Sequence, residues 1–242
     1  MTDAHSTIYL SHVLSDQSPG FGGVSAFAKE RVRKISDGSS SNSETWTLSN
    51  HIGTHIDAPR HFSDDGVCID HFSADDWVFK RTLLLEIPLG AGQLLSEDQL
   101  AEALSHADSP ISSPANFMID LLLIKTGFEK YRGRDLYWSA NPGVAADVGS
   151  LLRQQFPSVR AIGFDFLSLT SAHHREVGRE AHRAFLDPSR AGKPVLIIED
   201  MHLQYLDHSP QEVVVAPMRV QNSDGAPVTV FAKIDKSVSE KK

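Results

Sequence analysis

The chain has 242 residues with 23 Lys+Arg against 31 Asp+Glu, a net charge of −8, and 40% hydrophobic residues. Such a chain is long enough for one sizeable core and too apolar for disorder, and its acidic balance argues against a nucleic-acid-binding surface. A single cysteine, Cys68, excludes an internal disulfide framework and a CxxC-type structural zinc, whereas 12 histidines are an unusual store of metal-binding and proton-transfer groups.

The opening MTDAHSTIYL has neither a basic start nor a long apolar stretch, so no signal peptide is expected. The apolar runs at 119–124 and 195–198 fall far short of a membrane span, and a cytoplasmic protein is the expectation. Runs rich in Val, Ile, Leu and Thr, most bounded by turn residues, predict strands over Thr7–His12, Thr45–Asn50, Thr82–Ile87, Met118–Lys125, Val159–Phe166, Pro194–Glu199, Glu212–Pro217 and Val228–Ile234. The Ser-rich stretch Asp37–Ser43 reads as a loop. Helical spacing predicts helices over Glu97–Ala107, Val144–Phe156 and Glu176–Leu186, the last stopped by Asp187–Pro188. The charged tail 236–242 is expected to fray. No repeat or linker divides the chain, so the expectation is one α/β domain over 1–242, with helices packed on a mixed sheet.

The segment NHIGTHIDAPRHF places His51, His55, Asp57 and His61 within eleven residues. Imidazole and carboxylate without thiolate are the donors of a catalytic rather than a structural metal site. Gly53, the β-branched neighbours and Pro59 argue against a helix. A straight strand would hold His51 and His55 about 13 Å apart, so the chain must bend, and Gly53 permits the bend. Thr54 can tie the turn, and Pro59 can return His61 to the same cavity. The acid-rich stretch Asp64–Asp76 lacks EF-hand spacing and reads as a solvated loop with caps. Its aspartates oppose thiolate formation at Cys68, which is rejected as a nucleophile.

This segment resembles the HxGTHxDxPxHF signature of the cyclase family of metal-dependent hydrolases, which includes bacterial kynurenine formamidase and isatin hydrolase. Leu10–His12 resembles the opening LSH strand. AIGFDFLSLT, GREAHRAFL and VLIIEDMHL resemble the second metal segment. The resemblance implies a swivelling β/β/α fold with His51, His55 and Asp57 as ligands of a first ion. Asp57 would bridge to a second ion held by His182 and Glu199, and His61 would be the catalytic acid/base. It implies one or two divalent ions per chain, zinc ahead of manganese, and a homodimer or homotetramer. His173, His174 and His202 are rival ligands ranked below these.

Where kynurenine formamidases carry a tryptophan near the N-terminus, this chain has SPGFGG, with Phe21 as its one aromatic residue. Phe21 and Phe27 are the candidate substrate-binding residues. The expected activity is hydrolysis of an aryl formamide, a cyclic amide or a lactone on a small, aromatic substrate. A metal-dependent cyclase, lyase or dehydratase using the same residues is the alternative, and a non-catalytic metal-stabilised binding protein is the third.

Overall fold

The computed structural model describes residues 5–23, 25–106 and 118–235. The tail at 236–242, and Ala107 at the end of the first expected helix, lie outside the described residues. The N-terminal half holds strands β1 (His5–Tyr9), β2 (Phe27–Arg33), β3 (Ser43–Leu48), β4 (His55–Asp57), β5 (Val78–Phe79), β6 (Thr82–Glu86) and β7 (Leu94–Leu95), then helix α1 (Glu97–Ser105). After these come β8 (Leu121–Lys125), α2 (Asp135–Ser139), β9 (Gly143–Val144), α3 (Ala146–Gln155), β10 (Ala161–Phe164) and α4 (Arg175–Leu186). Strands β11 (Leu196–Glu199), β12 (Glu212–Pro217) and β13 (Gly225–Asp235) complete the described elements.

The β8 sequence LLLIK explains why the molecule has a core on each side of one sheet. Alternate residues of a strand face opposite ways. Leu122 and Ile124 pack with Ile162, Phe164 and Ile197, and with Leu100, Leu152 and Phe185 of α1, α3 and α4. Leu121 and Leu123 join Ile56, Ile198, Val213, Val215 and Val230 on the other side. A strand buried on both faces reads as an unbroken apolar run.

The main sheet has nine strands in the order β5-β12-β13-β4-β11-β10-β8-β6, with β1 added on β13. Its β6, β8, β10 and β11 are parallel. Strand β4 pairs antiparallel with both β11 and β13, so the short strand carrying the motif sits at the seam between the parallel and antiparallel parts. The expected mixed α/β sheet is the one observed. Beyond it, β2 and β3 form a separate hairpin. Strand β2, FAKERVR, escapes sequence reading because it is mostly exposed and charged, without a one-sided apolar pattern.

Two further devices fix α4, which carries His182. Buried Arg153 of α3 donates to the carbonyls of Ala184, Asp187, Arg190 and Gly192 at 2.8–3.1 Å, tying down the helix end and the DPSRAGK loop. Gly178 packs so closely on Thr170 that an added Cβ would lie 2.4 Å from its Oγ1. Among the described residues no helix is long and apolar enough to cross a membrane.

Candidate metal centre and active-site pocket

The bend ahead of β4 gathers the donors. Gly53 has φ +61°, a region that costs other L-residues about 1–2 kcal/mol, and it brings the rings of His51 and His55 to 5.3 Å between centroids. The Thr54 hydroxyl fastens the bend, donating to the Asp200 carbonyl at 2.6 Å and accepting from the His12 amide at 2.9 Å. Pro59 opens a 3-10 turn over Pro59–His61, which sets the His61 ring 4.1 Å from that of His51.

Sheet register and helix α4 supply the rest. Glu199 pairs directly opposite His55 across β11 and β4, and its Oε2 lies 3.3 Å from His55 Nε2. Asp57 occupies the centre: Oδ1 is 2.8 Å from His51 Nδ1 and 3.8 Å from His55 Nε2, and Oδ2 is 3.7 Å from His182 Nε2. His182 Nε2 also stands 3.6 Å from Glu199 Oε1. His51, His55, Asp57, His61, His182 and Glu199 thus meet in one cluster. Within this cluster two sets of donor atoms lie within metal-binding range, His51–Asp57–His61 and His55–Asp57–Glu199, and both contain Asp57; a third set among the described residues, His12–Glu129–His202, lies apart from it. The grouping differs from the one that the resemblance implies, since His55 stands beside Glu199 and His61 stands with His51.

Asp224, in the turn before β13, completes the cluster. Its Oδ2 accepts from His61 Nδ1 at 2.8 Å and stands 3.1 Å from His51 Nε2, while Oδ1 accepts from Asn50 Nδ2 at 2.6 Å. Sequence reading missed it because NSDG reads as an ordinary turn.

Charge balance shows what the cluster accepts. Asp57 and Glu199 are 1% and 3% exposed. Burial alone would push both carboxyls up, but hydrogen bonding to His51 holds Asp57 below its ordinary value, and His182 and His55 hold Glu199 well below its own. Burial works the other way on His51, yet hydrogen bonds to Asp224 and Asp57 push it up to about 10. Asp224 is held far down by its bonds to His51 and His61. Burial likewise opposes the charged forms of His55 and His182, and Glu199, then Asp57, override it and raise both. The carboxylates therefore demand positive charge.

The tautomers point the same way. His55 Nδ1–H donates to the Gly53 carbonyl and His182 Nδ1–H to the Gly178 carbonyl, each at 2.8 Å. Each Nε2 is left as an acceptor facing carboxylate oxygens, an opposition of lone pairs that only a proton or a metal ion between them relieves. Backbone bonds that fix a ring this way are the usual support of a ligating imidazole. Glu199 is oriented as well, with Oε1 accepting from the Leu169 amide at 2.6 Å. The residues fit a divalent ion.

The cluster lines a pocket of about 310 Å³, together with Phe21, Phe62, Leu167, Arg175 and Arg179. Phe62 stacks on His182 with centroids 4.6 Å apart. Of the two candidate substrate-binding residues, Phe21 lines the pocket and Phe27 does not: it is buried at the start of β2 and packs edge-on against Trp46 at 6.3 Å. His173 and His174 are exposed and outside the lining. His202 turns away because Asp200 sits at φ +51°, and it bonds Glu129 instead. Cys68 is buried apart from the lining.

Comparison with known proteins identifies a family for the chain. The Cyclase model, described as "Putative cyclase", matches residues 8–170, and the chain belongs to that family. Kynurenine formamidase from Delftia acidovorans is 25% identical over 219 residues, spanning 90% of this chain and 93% of that one. An uncharacterized protein of Haemophilus influenzae is 31% identical over 121 residues, 49% of this chain and 79% of its own. Isatin hydrolase A from Labrenzia aggregata, bound to benzyl benzoate, shares the fold with a TM-score of 0.76 at 19% identity, over 96% of this chain and 95% of that one.

Proposed function

We propose that the chain is a metal-dependent hydrolase that cleaves an amide, either an aryl formamide or a cyclic amide, or a lactone. One observation carries this reading: the buried donor cluster shared through Asp57 opens directly into a pocket flanked by Phe21 and Phe62. The kynurenine formamidase and isatin hydrolase relatives support it.

His51, His55, Asp57, His182 and Glu199 would hold one or two ions, zinc ahead of manganese. When bound, such an ion supplies Lewis acidity to a carbonyl and lowers the pKa of water. The remaining work falls to the chain's own side chains. His61 is tethered through Nδ1–H to Asp224, which leaves Nε2 to give or take a proton at the leaving nitrogen or oxygen. Asp224 holds that tautomer and ring orientation, the service a carboxylate gives to a catalytic imidazole elsewhere. Phe21 and Phe62 offer faces to a flat apolar ring.

The test is a panel of aryl formamides, lactams and lactones assayed with metal-loaded protein in ¹⁸O-labelled water. Cleavage with label in the carboxyl product is expected. Conversion without label would establish elimination or cyclisation instead, and turnover of none of the panel would refute the proposal.

A further inference from the structure

We propose that Arg175 recognises an anionic group, a carboxylate, on the far end of the substrate from the bond that is cleaved. The inference rests on the hydrolase reading for its scissile bond but on separate residues for its anion.

Helical spacing sets the geometry. Arg175, Arg179 and His182 are related as i, i+4 and i+7 on α4, so they form one stripe along the helix. All three belong to the pocket wall. At 1.5 Å per residue, Arg175 lies about 10 Å along the axis from His182. That is room for an aromatic ring and a short linker between the donor cluster and the guanidinium.

The two arginines are not equivalent. Arg179 is engaged by Glu176, its Nε lying 3.2 Å from Oε2 with a second, closer contact from Nη2 to Oε1. Arg175 has no carboxylate partner among the described residues, and its guanidinium lies over the Phe21 ring, 5.4 Å from the centroid. A cation placed on an aromatic face is held without being neutralised. Arg175 is also the first residue of α4, where the positive end of the helix adds to its own charge. On a chain of net charge −8, an unpaired arginine at the pocket wall is a local reversal of sign, and such a patch draws anions from solution.

Phe21 and the guanidinium above it thus line the same pocket. A substrate ring packed beside Phe21 would place a substituent carboxylate within reach of the planar guanidinium fork, which matches carboxylate geometry bidentately. The substrate class is therefore an aromatic amide or formamide carrying a carboxylate about one ring away from the scissile carbonyl. A free carboxylate can also approach the donor cluster itself, so the experiment has to separate the two positions.

The matched probes are 4-formamidophenylacetate and its methyl ester. Their affinities for metal-loaded protein are measured by calorimetry, and their hydrolysis is measured in parallel. The acid is expected to bind at least 10-fold more tightly than the ester. Arg175→Gln should reduce that preference about 10- to 30-fold, the weight of a partly exposed charge-assisted hydrogen bond, mainly through KM where turnover is seen, and Arg175→Lys should restore part of it. Acid bound no better than ester would overturn the proposal, and a preference that survives in Arg175→Gln would overturn it and place the carboxylate at the metal donors. Arg175-dependent binding of the acid with no hydrolysis of either probe would uphold the anion subsite while counting against the hydrolase reading for formamides.

Discussion

Asp224→Asn tests the part of the cluster that joins the motif to a turn more than 160 residues away. Asp224 Oδ2 faces both His61 Nδ1 at 2.8 Å and His51 Nε2 at 3.1 Å, and Oδ1 faces Asn50 Nδ2 at 2.6 Å. An amide has one acceptor oxygen, so either of its orientations sets an NH₂ against a donor, at His61 or at Asn50. A hydrogen bond to a charged group contributes about 1.5–3 kcal/mol. The Asp224 side chain is 35% exposed, so solvent screening favours the lower end, about 1.5–2 kcal/mol. At 1.36 kcal/mol per decade, kcat should fall about 10- to 30-fold. Asp224 belongs to neither candidate donor set, so metal content should stay at the wild-type level and KM should change little. Steady-state kinetics together with metal analysis by plasma mass spectrometry check this. A kcat within twofold of wild type would refute the positioning role, and metal loss in step with activity would make Asp224 part of the ion-binding set.

Gly53→Ala should destabilise the fold by about 1–2 kcal/mol from its left-handed φ, and an added Cβ would meet Leu14 Cδ1 at 3.1 Å. A lowered Tm with reduced metal content is the expected pair of results, and an unchanged Tm would show that the bend does not depend on glycine. Glu199→Gln removes the carboxylate opposite His55 and is expected to lose one ion while His51 and Asp57 retain theirs; unchanged metal stoichiometry would count against Glu199 as a ligand. His12 supplies a pH test away from the cluster, since burial lowers it from 6.5 to about 4. The unfolded chain then binds a proton that the folded chain refuses, so stability is unaffected above pH 6.5 and declines as pH falls towards 4, by about 3 kcal/mol. Urea midpoints at pH 7 and 4.5 should differ more for wild type than for His12→Asn, and parallel pH dependence in the two would contradict this.

The legible parts of this protein are those where one local pattern carries the information. The NHIGTHIDAPRHF segment is legible because its donors, its bend residue and its proline are neighbours in sequence. The apolar runs of β8, β10 and β11 are legible because burial on both faces leaves no polar interruptions. His182 and Glu199 came from resemblance, since a helix histidine and a strand-end glutamate are ambiguous by themselves. Asp224 was invisible because its role arises only when the β4–β13 pairing sets Gly225 opposite Asp57. Phe27 differs for a related reason: an aromatic at the end of a glycine-rich stretch suits a pocket wall and a hairpin equally well, and here it packs on Trp46 in the hairpin. His202 is three residues beyond the last β11 position, yet the left-handed turn at Asp200 sends it to Glu129.

The central claim is that hydrolysis depends on a cation held around Asp57. Its most direct test is to strip the protein with chelator, measure cleavage of the aryl formamide, lactam and lactone panel, and repeat after adding back zinc or manganese, in parallel with Asp57→Asn. Asp57 faces His51, His55 and His182 within 2.8–3.8 Å, so the neutral amide should bind at least one ion fewer per chain and regain almost no activity. Wild type should lose activity on stripping and recover it on metal addition. Full activity in the stripped protein, or full recovery in Asp57→Asn, would contradict the account.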